Sequence, residues 1–444
     1  MNLKPAVPAC GVKLAALVMA FTLLVSCGGG GGGGNSAPPF IANTSAGSAS
    51  GTPGTVPTPT SPANALDIVV DAGPAQLQAQ GIDSINIAYV QVTVCTPGST
   101  TSCQTIHHVQ LDTGSSGLRL LKSELYSSLN LPQVTSAAGA IGECAAFVIG
   151  TTWGSVRYAD IYLNGEVAKN VPFQDIGDTP GGYSAVPTDC ASYGTMQNTQ
   201  AQLGSNGLLG IGLFQSDCEL CQIQVIPGTY YTCNTGGCTD STVSAAQTVQ
   251  NPVADFAPIN NVTDNNGTQI SLQSLGSSGY ATVSVSGTLT FGIGTRGNNP
   301  LPNTATVYAT DQYGNISTTF NSTTMTGSYI DSGSNALFFN DASLTTPPCT
   351  TYTWAYCPSS QLTLNATNAG TNGTSGPVTF SIINADNMQP GYDVAANIGG
   401  PYCKNCSSPE FDWGLPFFFI QPVFTGIQGV IPPAGVPAGP YFAY

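Results

Sequence analysis

Two aspartates occupy near-identical settings in this chain. The first lies in Val109-Gln110-Leu111-Asp112-Thr113-Gly114-Ser115-Ser116-Gly117-Leu118, a turn of small residues between apolar flanks. The second, 219 residues later, lies in Ser328-Tyr329-Ile330-Asp331-Ser332-Gly333-Ser334-Asn335-Ala336-Leu337. Alone, an Asp-x-Gly-Ser segment is most often an Asx-turn between strands. A pair has other chemistry open to it. Two carboxylates held about 3 Å apart cannot both ionise, so one acts as base and the other keeps a proton. Such a pair hydrolyses an amide without a metal: the ionised member takes a proton from water, and the protonated member gives one to the carbonyl oxygen.

The elements that must position the pair are strands. Apolar flanks around a small-residue turn suit two strands joined tightly. Each copy is followed by a further apolar stretch with a glycine, Leu208-Leu209-Gly210 after the first and Trp413-Gly414-Leu415-Pro416-Phe417-Phe418-Phe419 after the second. A two-part unit repeated in one order marks an internal duplication, and duplicated halves often face each other across a cleft. Val90, Val92 and Val94 alternate with polar residues, Asn164-Gly165 signals a hairpin, and 282–291 alternates again. Only 7% of the 444 residues are charged while Gly and Pro number 53 and 32, a composition that favours an all-β fold over a helical one. With eight Lys and Arg and a net charge of −15, nucleic acid is excluded as a partner. His107 and His108 are the only histidines and sit side by side on an expected strand, facing opposite ways. No G-x-S-x-G elbow accompanies them, so neither a serine triad nor a catalytic metal is expected, and no cofactor.

The first residues look like an export signal. Lys4 and Lys13 precede the short apolar run 14–25. Leu24-Val25-Ser26-Cys27 resembles a bacterial lipobox, which implies lipid attachment at Cys27, and Gly28 after it favours the outer membrane. Residues 28–65, opening with seven glycines and continuing in Ser, Thr, Pro and Ala, read as a disordered tether. Beyond it we expect two lobes, 66–285 and 286–444. Besides Cys10 and Cys27, twelve cysteines remain: Cys95/Cys103, Cys144/Cys190, Cys349/Cys357, Cys403/Cys406, and the group Cys218, Cys221, Cys233, Cys238. In an oxidising compartment these are expected as disulfides; the alternative for the group of four is a zinc knot, and its connectivity is open.

Taken together, these segments resemble the pepsin-like aspartic endopeptidases. Leu111-Asp112-Thr113-Gly114-Ser115-Ser116 and Ile330-Asp331-Ser332-Gly333-Ser334 are similar to the two active-site motifs of that family. Asn206-Gly207-Leu208-Leu209-Gly210-Ile211-Gly212, Gly287-Thr288-Leu289-Thr290-Phe291-Gly292 and Trp413-Gly414-Leu415-Pro416-Phe417-Phe418 are similar to its structural strands. The chain also resembles a group of bacterial lipoproteins known only as a domain of unknown function, a likeness that carries no chemistry. The first resemblance implies a bilobal all-β acid protease fold, Asp112 and Asp331 as the catalytic pair, and a monomer acting on a peptide or protein substrate. It implies that Thr113 and Ser332 grip the opposite loop, and that Ser115 and Ser334 hydrogen-bond the outer carboxylate oxygens. Gly114 and Gly333 let backbone amides approach.

Two positions depart from the family. Arg119 stands where it commonly has tryptophan, and the region expected to form the flap, 146–163, has no tyrosine at the expected place. Trp153 is the flap candidate, stacking on Arg119 as a cation–π pair or serving as a packing residue. The altered flap keeps a second reading open, a pepsin-like binding protein without useful turnover. The low charge and tether keep a third, a structural surface lipoprotein. Residues 215–275 have no assigned role.

Overall fold

The structure is a computed structural model that describes residues 49–444 except 83, 276–278, 282–283, 389–390 and 403–409. Cys27, the glycine run, Cys403 and Cys406 lie outside the described residues. The expected all-β, two-lobed architecture is present. Among the described residues the α-helices are short, at Ala75–Gln78, Thr188–Ser192 and Gln200–Leu203, and no helix is long and apolar enough to cross a membrane.

In the first lobe, Ala88–Cys95 buries Val90, Val92 and Val94 and pairs antiparallel with Cys103–Asp112. Three long strands, Gly139–Phe147, Gly150–Leu163 and Glu166–Ile176, follow as consecutive antiparallel hairpins. The second hairpin turns at Asn164-Gly165, where Asn164 takes φ of 55°, as its turn type demands. In the second lobe, Ile316–Phe320, Thr323–Ile330, Leu362–Ala369 and Ser375–Ile382 carry an aromatic core. Phe411 lies between Trp413 and Phe339, with ring centroids 4.0 and 4.8 Å away. The buried Trp413 satisfies its N–H on Thr318 Oγ1 and Asn368 Oδ1, both at 3.1 Å.

A central sheet ties the lobes: Ala65–Val70 pairs with Val285–Phe291, then Gly267–Leu272, Val423–Gly426 and Tyr441–Ala443 follow. The boundary expected at 285/286 therefore cuts a shared sheet. Gly267–Leu272, assigned to the first lobe, lies between two strands assigned to the second. Alternation identifies a strand but not the lobe that it joins.

The tether also needs correction. Residues 49–65 are not free of the body. Ala49 N–H donates to the Leu125 carbonyl at 2.9 Å, Gly54 and Cys103 exchange backbone hydrogen bonds at 2.8 and 3.0 Å, and Asn164 Nδ2 reaches the carbonyls of Thr60, Pro62 and Ala65. The segment lacks apolar periodicity because it is held by its backbone.

Among the described residues five disulfides are formed: Cys95–Cys103, Cys144–Cys190, Cys218–Cys221, Cys233–Cys238 and Cys349–Cys357. The group of four resolves into two local bridges, not a zinc knot. Cys233 and Cys238 face each other directly across a hairpin.

Candidate active site

Asp112 ends a strand and Asp331 directly follows one, and in both lobes another strand is threaded between the two arms of the loop. In the first copy, Gly207–Ile211 runs parallel to Cys103–Asp112, placing Asp112 beside Gly210, and antiparallel to Ser116–Leu121. In the second, Asp412–Trp413 runs parallel to Thr323–Ile330 and antiparallel to Leu337–Phe338. The glycine in each apolar stretch is what permits the threading. A Cβ on Gly210 would lie 2.8 Å from Ser115 Oγ, and one on Gly414 would lie 2.1 Å from the Ala336 carbonyl oxygen. Gly414 has φ of −69°, so its requirement is steric rather than conformational. Gly414→Ala is expected to destabilise the protein by about 3 kcal/mol in a denaturant titration, because the backbone carbonyls of Ser334 and Ala336 must move. The stretch after Gly414 is not the extended strand expected: Leu415–Phe419 is a buried 3-10 turn with Pro416 near its start.

The two loops meet tip to tip. Thr113 N–H donates to Ser332 Oγ at 3.1 Å and Ser332 N–H to Thr113 Oγ1 at 2.9 Å. Each hydroxyl in turn donates to a carbonyl of the opposite strand, Thr113 to Ile330 at 3.2 Å and Ser332 to Leu111 at 2.9 Å. Four buried hydrogen bonds related by an approximate two-fold thus fix the distance between the loops, each worth about 1 kcal/mol net. Gln110, two residues before Asp112 and on the same strand face, adds a fifth link by donating to the Gly333 carbonyl at 2.8 Å.

The carboxylates are held within these loops. Asp112 Oδ1 accepts Gly114 N–H at 2.7 Å and Ser115 N–H at 3.2 Å, while Oδ2 accepts Ser115 Oγ at 2.5 Å. Asp331 Oδ1 accepts Gly333 N–H at 2.7 Å, and Oδ2 accepts Ser334 Oγ at 2.9 Å. Gly114 N–H also points at Asp331 Oδ1, 3.1 Å away, so one amide bridges both acids. There is no room for side chains here. A Cβ on Gly114 would lie 2.6 Å from the Asp331 carboxyl carbon, and one on Gly333 would lie 2.7 Å from Asp112 Oδ1. Burial, then the charges of Asp112 and Asp412 and a hydrogen bond with Asp112, push the Asp331 carboxyl well above the usual carboxylate range. The structure thus brings together Asp112, Thr113, Gly114, Ser115, Asp331, Ser332, Gly333 and Ser334.

Trp153 is elsewhere. It is 5% exposed and packs edge-on against Tyr231, with centroids 5.2 Å apart, beside the Cys144–Cys190 bridge. The expected stack on Arg119 does not form, and alternation gives the reason. Trp153 sits directly across from Cys144, so it shares that residue's face, whereas Arg119 bonds Glu143 on the other face. The ring over Arg119 is Phe147, on the Glu143 face, with 5.6 Å from its centroid to Arg119 Cζ. The hairpin tip beyond it exposes Val148 and Ile149. His108 lies apart from the pair, 3.2 Å from Asp71 Oδ2 and edge-on to Tyr89.

Glu143 and Asp217 belong to the surroundings of the first loop and were not singled out by motif. The signal available was their charge: in so uncharged a chain, an acid inside the strand Gly139–Phe147 calls for a buried partner. Among the described residues, one cluster has the spacing of a metal site, Cys349, Cys357 and Asp386. Both sulfurs are in a disulfide and Asp386 accepts the amides of Thr350, Thr351 and Tyr352, so it offers no thiolate.

A family model described as "Protein of unknown function (DUF3443)" matches residues 60–444. No curated protein matches the chain. Among solved structures, the aspartic proteinase from Irpex lacteus is similar at 14% identity and a TM-score of 0.49, over 85% of this chain and 96% of that one.

Proposed function

The chain belongs to the DUF3443 family of proteins of unknown function, and we propose that it is an aspartic endopeptidase. In this reading Asp112 and Asp331 share one proton and hydrolyse peptide bonds. The observation that carries it is the Gly114 amide bridging two carboxyls whose loops are locked by reciprocal Thr113 and Ser332 hydrogen bonds.

The steps follow from the donors. Asp331, held protonated, donates to the carbonyl oxygen of an extended peptide. Asp112 takes a proton from a water, whose oxygen bonds to the carbonyl carbon and gives a gem-diol. A gem-diol hydroxyl then returns its proton to Asp331, Asp112 gives its proton to the leaving nitrogen, and the C–N bond breaks. The pair ends as it began. The three donors around Asp112 hold its carboxyl in place for the proton transfer. Ser115→Ala removes the shortest of these, and kcat should fall about ten- to hundredfold in a steady-state assay, since a hydrogen bond to a charged group is worth about 1.5–3 kcal/mol. Lipid attachment at Cys27 would place the enzyme at a membrane surface.

One observation favours a second reading, a peptide-binding protein without turnover: the tip Val148-Ile149 presents no hydroxyl-bearing aromatic to close over a substrate. A statine-type analogue, whose hydroxyl imitates the gem-diol, tests the proposal. Binding to the wild type that is lost in Asp112→Asn supports a hydrolytic pair; equal binding to both, or none to either, refutes it.

A further inference from the structure

A ring of buried charge lies behind the first aspartate loop. Arg119 is 1% exposed, Glu143 0% and Asp217 4%. The guanidinium donates to the Ser116 carbonyl at 3.1 Å, to Glu143 Oε1 at 2.5 Å and to Asp217 Oδ2 at 3.2 Å. Ser116 Oγ donates to the Phe214 carbonyl at 3.0 Å, which closes the ring on the far side. Tyr230 then locks Asp217: its hydroxyl lies 2.8 and 2.9 Å from the two carboxyl oxygens and accepts Val249 N–H at 2.7 Å. Val249 in turn rests on the loop, since a Cβ at Gly117 would fall 2.4 Å from its Cγ1.

We propose that Arg119 is a positioning residue for Asp112, and that the segment 214–249 is the anchor against which it holds the Asp112 loop. The inference rests on reading Asp112 and Asp331 as a hydrolytic pair, and it gives a role to a stretch that had none in the sequence. Arg119 acts through Ser116, whose neighbour Ser115 gives Asp112 both an amide and a hydroxyl. Stability alone is a poor account of this ring. A buried ion pair seldom stabilises a protein more than well-packed apolar residues of the same volume, whereas its directional bonds can fix geometry. Burial, then the charge of Glu143, raises Asp217 well above its ordinary range, with Arg119 and Tyr230 acting against it.

The test uses a triple variant that removes the guanidinium and both carboxyl groups of the ring, Arg119→Met with Glu143→Gln and Asp217→Asn, beside Arg119→Lys and Tyr230→Phe. Two readouts are taken: kcat and KM on a peptide, and the Asp112 carboxyl-carbon NMR signal, assigned by its loss in Asp112→Asn. In the folded triple variant kcat should fall about 10²-fold with KM within about twofold, as for a slightly misplaced catalytic group. The Asp112 signal should move. Arg119→Lys keeps the charge without the three-way fork and should restore only part of the rate. Tyr230→Phe, the mildest change, should lower kcat about tenfold and move the Asp112 signal less, and it decides the matter if the triple variant does not fold. A folded variant with unchanged kcat and an unmoved Asp112 signal overturns the inference. A wild type that cleaves nothing defeats the hydrolytic reading instead, and the NMR signal still decides whether Arg119 positions Asp112.

Discussion

Asp331→Asn is expected to fold normally and to lose peptide cleavage by about 10⁴-fold, the upper range for removing an acid–base group. Normal folding is expected because burial and the charge of Asp112 favour the uncharged form of Asp331, so an uncharged amide suits the same surroundings. Its oxygen can still accept Gly333 N–H and Gly114 N–H. What it lacks is an acidic proton for the substrate carbonyl. The loop-to-loop bonds of Thr113 and Ser332 do not involve the carboxyl and stay in place. Circular dichroism and melting temperature should match the wild type while turnover vanishes. A folded Asp331→Asn protein with full activity would mean that the acid lies elsewhere.

The second large effect is on stability, which should decline steeply between about pH 5 and 8. Of the acids raised outside the pair, three set this window. Burial, then the nearby Asp178, raises Asp175 to about 7 against Arg157 and Lys122. Burial, then Asp264, raises Glu166 to about 8 against Arg296. Burial alone raises Asp255 to about 6. Each is protonated in the native state over a range where the unfolded chain has released its proton. The native state therefore binds more protons, and stability, full below about pH 4, is lost as pH rises through the native values. Asp178 works in the opposite sense: against its own burial, Arg157 and Lys122 hold it at about 2, so its contribution is lost only in strong acid. The optimum should lie in mild acid. Asp175→Asn should shrink the difference in unfolding free energy between pH 5 and pH 8 by about 2–3 kcal/mol, since about 1.4 kcal/mol accrues per pH unit up to the native value. An unaltered slope in denaturant titrations of that variant would show that Asp175 is ionised throughout.

The legible parts of this protein are those where covalent chemistry leaves few choices. Asp112 and Asp331 could be paired from sequence because their turns need the same small residues. Gly210 and Gly414 could be linked to them because a strand threaded through a loop admits no Cβ. Cys95–Cys103, Cys144–Cys190 and Cys349–Cys357 were legible as pairs, whereas the connectivity of Cys218, Cys221, Cys233 and Cys238 stayed open although their partners lie closest in sequence. What stayed hidden depends on strand faces and long-range pairing. Trp153 and Phe147 are six residues apart and equally plausible as partners of Arg119; the register that sets Cys144 against Trp153 decides between them. Glu143 and Asp217 meet on Arg119 only after the segment 214–249 folds back, and no short motif encodes that return. The strap at 49–65 and the shared strand Gly267–Leu272 escaped for a related reason, since their partners are backbone groups, which every residue carries.

Peptide hydrolysis by Asp112 and Asp331 together is open to direct measurement. The most direct measurement incubates the purified protein with a mixed peptide library between about pH 3 and 7, with Asp112→Asn protein from the same preparation as the blank. Internal cleavage by the wild type is expected on the acidic side, fading as Asp331 loses its proton, with the library left intact by the variant. An intact library with both proteins across the whole range, or equal cleavage by both, would contradict hydrolysis by the pair.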